Sequence, residues 1–106
     1  MQFYKQLYIS DGIEDKKKKI CYKLKTKPGL LSVYIIALAK GSDQLEVYHC
    51  VYLRQKYYKK NPPFIIGIGE NYDEAIELVR KITNEAFVIH QYSSIKELII
   101  SMAKTH

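Results

Sequence analysis

Residues 63–82 constrain the fold of this chain more than any other stretch of its sequence. Phe64–Ile68 is a short apolar run rich in isoleucine, which is typical of a buried strand. Gly67 and Gly69 then permit a sharp turn, because glycine lacks a Cβ atom. Asn71 is a favourable N-cap residue for the helix that follows. The segment therefore predicts a buried strand, a tight turn and an amphipathic helix.

One face of this predicted helix is apolar at helical spacing. Its members are Ala75, Leu78, Val79, Ile82 and Ala86. Two glycines before a helix are also found in phosphate-binding turns, but Tyr72 stands where a dinucleotide-binding turn needs a third glycine. Three acidic residues, Glu70, Asp73 and Glu74, would also repel a phosphate. We therefore interpret the turn as structural.

The chain of 106 residues corresponds to one domain, residues 1–106, and can bury a core without a disulfide or metal. No apolar run approaches the ~20 residues of a membrane span, and the N-terminal residues lack the apolar core of a signal peptide. Cys21 and Cys50 are too few for a disulfide framework and lack zinc-site spacing. We expect a cytoplasmic bacterial protein with reduced thiols, without cofactor, metal or membrane contact.

The net charge of +6 is distributed unevenly. Residues 1–60 contain 13 basic and five acidic residues, a net charge of +8, whereas residues 61–106 contain four basic and six acidic residues, or −2. This asymmetry favours a positive field on one side of the molecule. However, 15 of the 17 basic residues are lysine, and base-specific recognition relies largely on arginine. An AT-rich genome would also enrich lysine, isoleucine and tyrosine, so both explanations stay open.

Two basic segments are candidate nucleic-acid-binding sites, since lysine contacts phosphate and tyrosine can stack on bases. The first is a helix predicted to run from Asp11 to about Lys27, with Asp11 and Glu14 as a capping pair. Its candidate residues are Lys16, Lys17, Lys18, Lys19, Lys23, Lys25 and Lys27. The second is a predicted connection before two prolines, with candidate residues Tyr57, Tyr58, Lys59 and Lys60. Alternatively, the lysines form a solvated helix face and the tyrosines pack on the sheet edge.

Three further segments are predicted strands. Phe3–Ile9 alternates between two faces, which suits a half-buried strand. Leu30–Ala39 is nearly all apolar and is predicted to lie in the middle of the sheet. A hairpin turn at residues 40–43 joins it to a strand from Gln44 to about Lys56.

The C-terminal part of the chain is predicted to be largely helical. Residues 87–92 either prolong the helix after Asn71 or form a short strand. A last helix begins after Ser94, which can form a capping pair with Glu97. Its apolar stripe, which must dock on the domain or on a partner, is Ile95, Leu98, Ile99 and Met102. The predicted fold is α+β: a three- to four-stranded, mainly antiparallel sheet packed by two or three helices, mainly on one side, in the order β-α-β-β-β-α-α.

No catalytic residue is predicted. His49 lies among aliphatic residues on one face of its predicted strand, and Cys50 alternates with tyrosines on the other. No serine, cysteine or carboxylate at a diagnostic spacing accompanies His49, and no base accompanies Cys50. We therefore interpret His49 as a structural residue and expect no enzymatic activity.

Parts of the chain resemble three protein families. The α-β-β-β-α order between Asp11 and Ala86 is similar to double-stranded-RNA-binding domains, whose second helix starts with a lysine cluster where residues 72–75 stand here. The first strand, with the tyrosines of strands one and three, resembles the RNA-recognition motif, but residues 47–52 lack its Gly-aromatic signature. Residues 66–82 resemble the strand, turn and helix of HicB-like antitoxins. As a whole the chain resembles small single-domain bacterial proteins of unassigned function, and none of these resemblances assigns a functional residue.

Two functions follow as hypotheses. The first is a non-enzymatic binding or regulatory module that acts through protein–protein contacts as a homodimer, because its apolar last helix and tyrosine-rich strand faces suit interfaces. The alternative is non-sequence-specific, salt-dependent nucleic-acid binding through the lysine-rich first helix. A small enzyme that uses Tyr48, His49 or Cys50 is a third possibility, for which the sequence offers no acid–base pair or metal ligands.

Overall fold

The computed structural model describes residues 1–39 and 43–104. Its strands are β1 (Gln2–Ile9), β2 (Tyr34–Leu38), β3 (Leu45–His49) and β4 (Phe64–Gly69). Its α-helices are α1 (Lys17–Thr26), α2 (Lys56–Lys60), α3 (Tyr72–Asn84) and α4 (Ile95–Lys104). Short 3₁₀ segments cover Asp11–Lys16, Pro28–Leu30 and Cys50–Arg54, and a π-helical turn covers Glu85–Ile89. This order confirms the predicted α+β class and adds α2 between the third and fourth strands.

The four strands form one mixed sheet in the order β1-β4-β2-β3. β2 is antiparallel to β3 and β4, whereas β1 is parallel to β4. The two most apolar strands, β2 and β4, therefore occupy the centre, as their sequences indicate. The β2–β3 hairpin pairs from Tyr34 with His49 to Leu38 with Leu45. Of its predicted turn, residues 40–42 lie outside the described residues.

Helices cover both faces of the sheet, so the prediction that they lie mainly on one side is wrong. α1 and the 3₁₀ segment Cys50–Arg54 pack on one face, and α3 and α4 pack on the other. Successive strand residues point to opposite faces. Ile35 and Ile36 are both fully buried but belong to different cores. A strand that is apolar at every position needs cover on both sides.

The strand, turn and helix predicted for residues 63–82 are confirmed by β4 and α3. Asn71 Oδ1 accepts a hydrogen bond from Glu74 N at 2.9 Å and caps α3 as predicted. Ser10 Oγ accepts a hydrogen bond from Glu70 N at 3.0 Å. The turn is therefore tied to the end of β1, beside which it lies in the parallel pairing.

The first helix begins differently from the prediction. Asp11–Lys16 is a 3₁₀ segment, and α1 begins only at Lys17. Ser10 occupies the N-cap position without a side-chain cap, so the predicted Asp11–Glu14 capping pair is wrong. The hydroxyl of Ser10 is instead engaged by the turn after β4, a contact between segments far apart in sequence.

β3 is shorter than predicted, because it ends at His49 instead of continuing to about Lys56. His49 Nδ1 accepts a hydrogen bond from Val51 N at 3.0 Å and so caps the 3₁₀ segment that follows. Cys50 and Leu53, which a continued strand would place on opposite faces, are consequently buried in the same core. The change of path also moves Arg54 towards the end of α1.

The C-terminal helices dock on the sheet. Residues 85–89 prolong α3 as a π-helical turn, so the stretch 87–92 is helical as far as Ile89 and has neither helix nor strand beyond it. Ser94 Oγ accepts a hydrogen bond from Glu97 N at 3.1 Å, as predicted. Asp43 accepts two more, from the backbone N–H groups of Ile95 and Lys96 at 3.0 and 2.9 Å. The predicted contribution of Met102 lies outside the described side chains.

Candidate functional site

A basic cleft lies between the C-terminal end of α1 and the helix α2. Its volume is about 690 Å³, within the range of ligand-binding pockets. None of the described residues that line it is acidic, and Leu24, Leu30 and Leu53 provide apolar walls. Its cationic side chains are those of Lys25, Lys27, Arg54 and Lys59.

The end of α1 shapes one wall of the basic cleft. Lys27 N donates to Lys23 O at 2.7 Å and closes the last helical turn. Pro28 cannot continue the helix because it lacks an N–H group, and Pro28–Leu30 turns away as a 3₁₀ segment. Leu30 is 68% exposed as a result. The turn leaves an open, partly apolar surface beside the last lysines of α1.

Cys50 holds the opposite wall in place. Its Sγ donates to Pro28 O at 3.5 Å and to Leu31 O at 3.4 Å, which ties the segment after β3 to the segment after α1. Arg54 then lies along Gly29, where a Cβ atom would stand 3.0 Å from Arg54 Cδ. Burial raises the pKa of the Cys50 thiol, so Cys50 acts as a buried structural residue.

No ion pair with a described residue neutralises the cations of the basic cleft. Among the residues that the structure describes, the ion pair formed joins Glu77 and Arg80 on the exposed side of α3. Lys25 Nζ lies 5.4 Å from the centroid of the Phe3 ring, which provides only a weak cation–π contact. Cations around a concave, partly apolar surface produce a stronger local potential than the same charges on a flat surface. The basic cleft is therefore suited to an anion.

Four of the predicted nucleic-acid-binding residues meet in the basic cleft. Lys25 and Lys27 come from the first candidate segment, and Tyr58 and Lys59 come from the second. The predicted residues that do not line the cleft are Lys16, Lys17, Lys18, Lys19, Lys23, Tyr57 and Lys60. The lysines of α1 diverge because neighbouring residues of a helix point in different directions.

Sequence reasoning missed Arg54 and the apolar walls of the basic cleft. Arg54 was assigned to a strand that the structure ends at His49, so its proximity to α1 could not be foreseen. The available signal was weak: Arg54 is one of two arginines, and it shortly precedes the basic pair Lys59 and Lys60.

A second depression, the aromatic groove, runs along the edge strand β3 and has a volume of about 540 Å³. It is lined by Tyr34, Val47, Tyr48, His49, Tyr52, Tyr58 and Tyr72. No acidic, lysine or arginine side chain of the described part of the chain lines it. Tyr58 lines the basic cleft as well, so the two depressions share this side chain.

The rings of the aromatic groove contact one another. Tyr48 stacks on Tyr58 with 5.2 Å between centroids, and Tyr52 meets Tyr48 edge-on at 6.4 Å. Tyr72 meets Tyr34 edge-on at 5.6 Å. Burial, with smaller contributions from Tyr58 and Glu46, raises the pKa of Tyr48 above its ordinary value.

The tyrosines of β1 and β3 do not form one exposed patch. Tyr4 is buried beneath α3 and α4, with its ring edge-on to Phe64. Tyr8 donates its hydroxyl hydrogen bond to Glu85, and burial followed by this contact raises its pKa. Tyr48 packs against the opposite core. Of Tyr4, Tyr8 and Tyr48, only Tyr48 therefore lines the aromatic groove.

His49 and Cys50 are engaged in structural hydrogen bonds. His49 Nδ1 accepts from Val51 N, and its Nε2 lies 3.4 Å from Ser32 Oγ. The Sγ of Cys50 is 4.0 Å from His49 Nδ1, but it donates to backbone carbonyls. In residues 1–39 and 43–104, no group of three or more His, Cys, Asp or Glu side chains could hold a metal ion.

An apolar patch is exposed on the other side of the sheet, where the π-helical turn contacts α4. Its members are Phe87, Val88, Ile89 and Ile100, which are 41%, 65%, 62% and 55% exposed. Phe87 and Ile100 directly follow the buried residues Ala86 and Ile99. Exposed large apolar side chains on two neighbouring segments are typical of protein–protein contacts.

Comparisons with known proteins assign no family to the chain. No protein-family profile matches it, and no curated protein or solved structure shows significant similarity. Within the described residues, no helix has both the length and the apolar character needed to cross a membrane.

Proposed function

We propose that this protein binds nucleic acid through the basic cleft. The observation that supports the proposal is the convergence of four cations from α1 and the segment around α2, with no acidic residue among the described lining. A phosphate backbone offers the complementary charge, and its binding releases condensed counterions. The exposed lysines of α1 extend the positive surface beyond the cleft.

The proposed binding is not base-specific at the cleft. Its single arginine, Arg54, is the only lining cation with the planar fork that reads guanine in a bidentate manner. Lysines contribute point charges to phosphates instead. The proposal is for a binding protein without catalytic activity, which the engaged nitrogens of His49 and the burial of Cys50 support.

Neutralising two cleft cations tests this proposal. We expect Arg54→Gln/Lys59→Gln to weaken binding of a fluorescein-labelled single-stranded 20-mer about 25-fold at 0.1 M salt, because two phosphate contacts are lost. The slope of log K against log salt should fall in magnitude by about 1.4, since each contact to a single strand contributes about 0.7. Fluorescence anisotropy over a salt series measures both quantities.

The matched control is Arg80→Gln/Lys81→Gln on α3, which removes the same two residue types and the same charge. It should leave the affinity within about twofold and the salt slope unchanged, because these side chains lie away from the cleft. Equal losses in the two double variants would show that net charge alone drives binding, and would overturn the cleft as its site.

A second candidate function is self-association through the apolar patch, as the sequence first suggested. The exposed Phe87, Val88, Ile89 and Ile100 provide apolar area that a second copy of the chain can cover. The patch lies on the α3 and α4 side of the sheet, whereas the basic cleft lies on the α1 side. A dimer formed through the patch would leave both clefts free.

Light scattering coupled to size exclusion tests self-association. At ~100 μM we expect the mass of a dimer for the unmodified chain and of a monomer for Val88→Lys/Ile89→Lys, because buried lysines at an interface are strongly unfavourable. Leu30→Lys, a change of an equally exposed apolar residue outside the patch, should remain dimeric. A monomer for the unmodified chain would contradict the proposal.

A further inference from the structure

We infer that the nucleic acid in the basic cleft is single-stranded and that its unpaired bases enter the aromatic groove. The inference rests on the proposed function and extends it, because it names the strandedness of the ligand and a second subsite. It is carried by the different chemistry of two depressions that share the side chain of Tyr58.

The two depressions differ in charge, as the phosphate and the base of a nucleotide do. The basic cleft presents cations for phosphates, whereas the described lining of the aromatic groove contains neither cations nor carboxylates. Glu46 and Asp73 adjoin the groove residues Val47 and Tyr72 in sequence, and their charge is unfavourable to a phosphate beside them. Phosphates are thereby kept over the cleft while uncharged bases occupy the groove.

Tyr52 and Tyr72 offer the rings on which bases can stack. They are 47% and 52% exposed. Each meets its neighbouring tyrosine edge-on, at interplanar angles of 82° for Tyr52 and 75° for Tyr72, so neither ring is sandwiched on both faces. Stacking of this kind tolerates any base, because every base has a π-face.

A duplex cannot use the aromatic groove in this way. Its bases are paired and stacked on one another inside the helix, and they reach a protein ring only after unpairing and unstacking. A single strand presents both its phosphates and its bases to the protein surface. The basic cleft alone would bind both duplex and single-stranded nucleic acid. The aromatic groove therefore provides the preference for the single strand.

Oligonucleotides that differ only in their bases test the inference. We expect the unmodified protein to bind a labelled dT12 tenfold or more tightly than a 12-mer of abasic residues with the same phosphates. Tyr52→Ala/Tyr72→Ala should abolish that difference while leaving the salt slope unchanged, because no phosphate contact is removed. Tyr52→Phe/Tyr72→Phe, which keeps the rings, should retain it, and circular dichroism should show native folding for both variants.

Tyr22→Ala is the control, since Tyr22 is 67% exposed and does not line the groove. Equal affinity of the unmodified protein for dT12 and the abasic strand, or undiminished preference in Tyr52→Ala/Tyr72→Ala, would overturn the groove. If the groove were overturned in this way but Arg54→Gln/Lys59→Gln still weakened binding, nucleic-acid binding by the basic cleft would remain supported, and only base binding in the groove would be wrong. No binding of either strand by the unmodified protein would overturn both.

Discussion

Gly69→Ala is expected to lower the free energy of unfolding by about 3 kcal/mol. A Cβ atom at residue 69 would lie 2.6 Å from the backbone N and Cα of Ala75, where α3 packs on the end of β4. These are backbone atoms of a helix, so relief requires a shift of the first turn of α3. Such a shift would also disturb the cap that Asn71 forms with Glu74 N. Urea denaturation followed by circular dichroism measures the change.

Gly12→Ala provides a control in which the nearest group can move. A Cβ atom at Gly12 would meet the carboxylate of Glu70, which ends an exposed, flexible side chain. The carboxylate can rotate away, and alanine also restricts the unfolded chain. We expect a change within about 0.5 kcal/mol. If Gly69→Ala were equally mild, the close packing of α3 on β4 would be wrong.

Leu98→Ala is expected to cost about 3 kcal/mol of unfolding free energy. Leu98 is 1% exposed and belongs to the core between the sheet and the C-terminal helices, with Tyr4, Ile36 and Ile66. Removing its side chain would leave a cavity that α4 cannot readily close, because Asp43 also holds the N-terminus of the helix. The midpoint of urea denaturation should fall at an unchanged slope.

Ile100→Ala on the same helix is the control for Leu98→Ala. It shows how much of the stability change comes from helix propensity and not from lost burial. Ile100 is 55% exposed, so its truncation should change the unfolding free energy by no more than about 0.5 kcal/mol. The measurement should be made at low protein concentration, because Ile100 belongs to the proposed dimer surface. A loss at Leu98 no larger than that at Ile100 would contradict the docking of α4 on the sheet.

The arrangement of layers has a functional consequence for the two proposals. The basic cleft is built on the α1 side of the sheet, and the apolar patch lies on the side of α3 and α4. A dimer through the patch would carry two clefts, and one long strand could occupy both. Binding in the second cleft then becomes intramolecular, which raises the overall affinity without a new contact.

Local sequence rules predicted those features that depend on neighbouring residues. The apolar run Phe64–Ile68 with its turn residues specified β4 and the start of α3, and Asn71 and Ser94 cap the helices as their types and positions indicated. Residues 34–38 are apolar at successive positions, which correctly placed β2 inside the sheet. Each of these features follows from hydrogen bonding and burial within a few residues.

Contacts between distant segments decided the rest of the fold. Parallel pairing of β1 with β4 and helices on both faces depend on which strands meet, and strand periodicity does not encode that choice. Asp43 caps α4 from the loop between β2 and β3, and its sequence neighbours give no indication of that role.

In the candidate site, likewise, the residue types could be predicted from the sequence, whereas the shape of the cleft could not. The lysines of α1 and the basic pair after Tyr58 were visible as residue types, since composition and local pattern reveal charge. The basic cleft itself exists because β3 ends at His49 and Cys50 binds the carbonyl groups after α1, which places Arg54 along Gly29. Residue types are local properties, whereas a concave binding surface forms only when separate segments pack together.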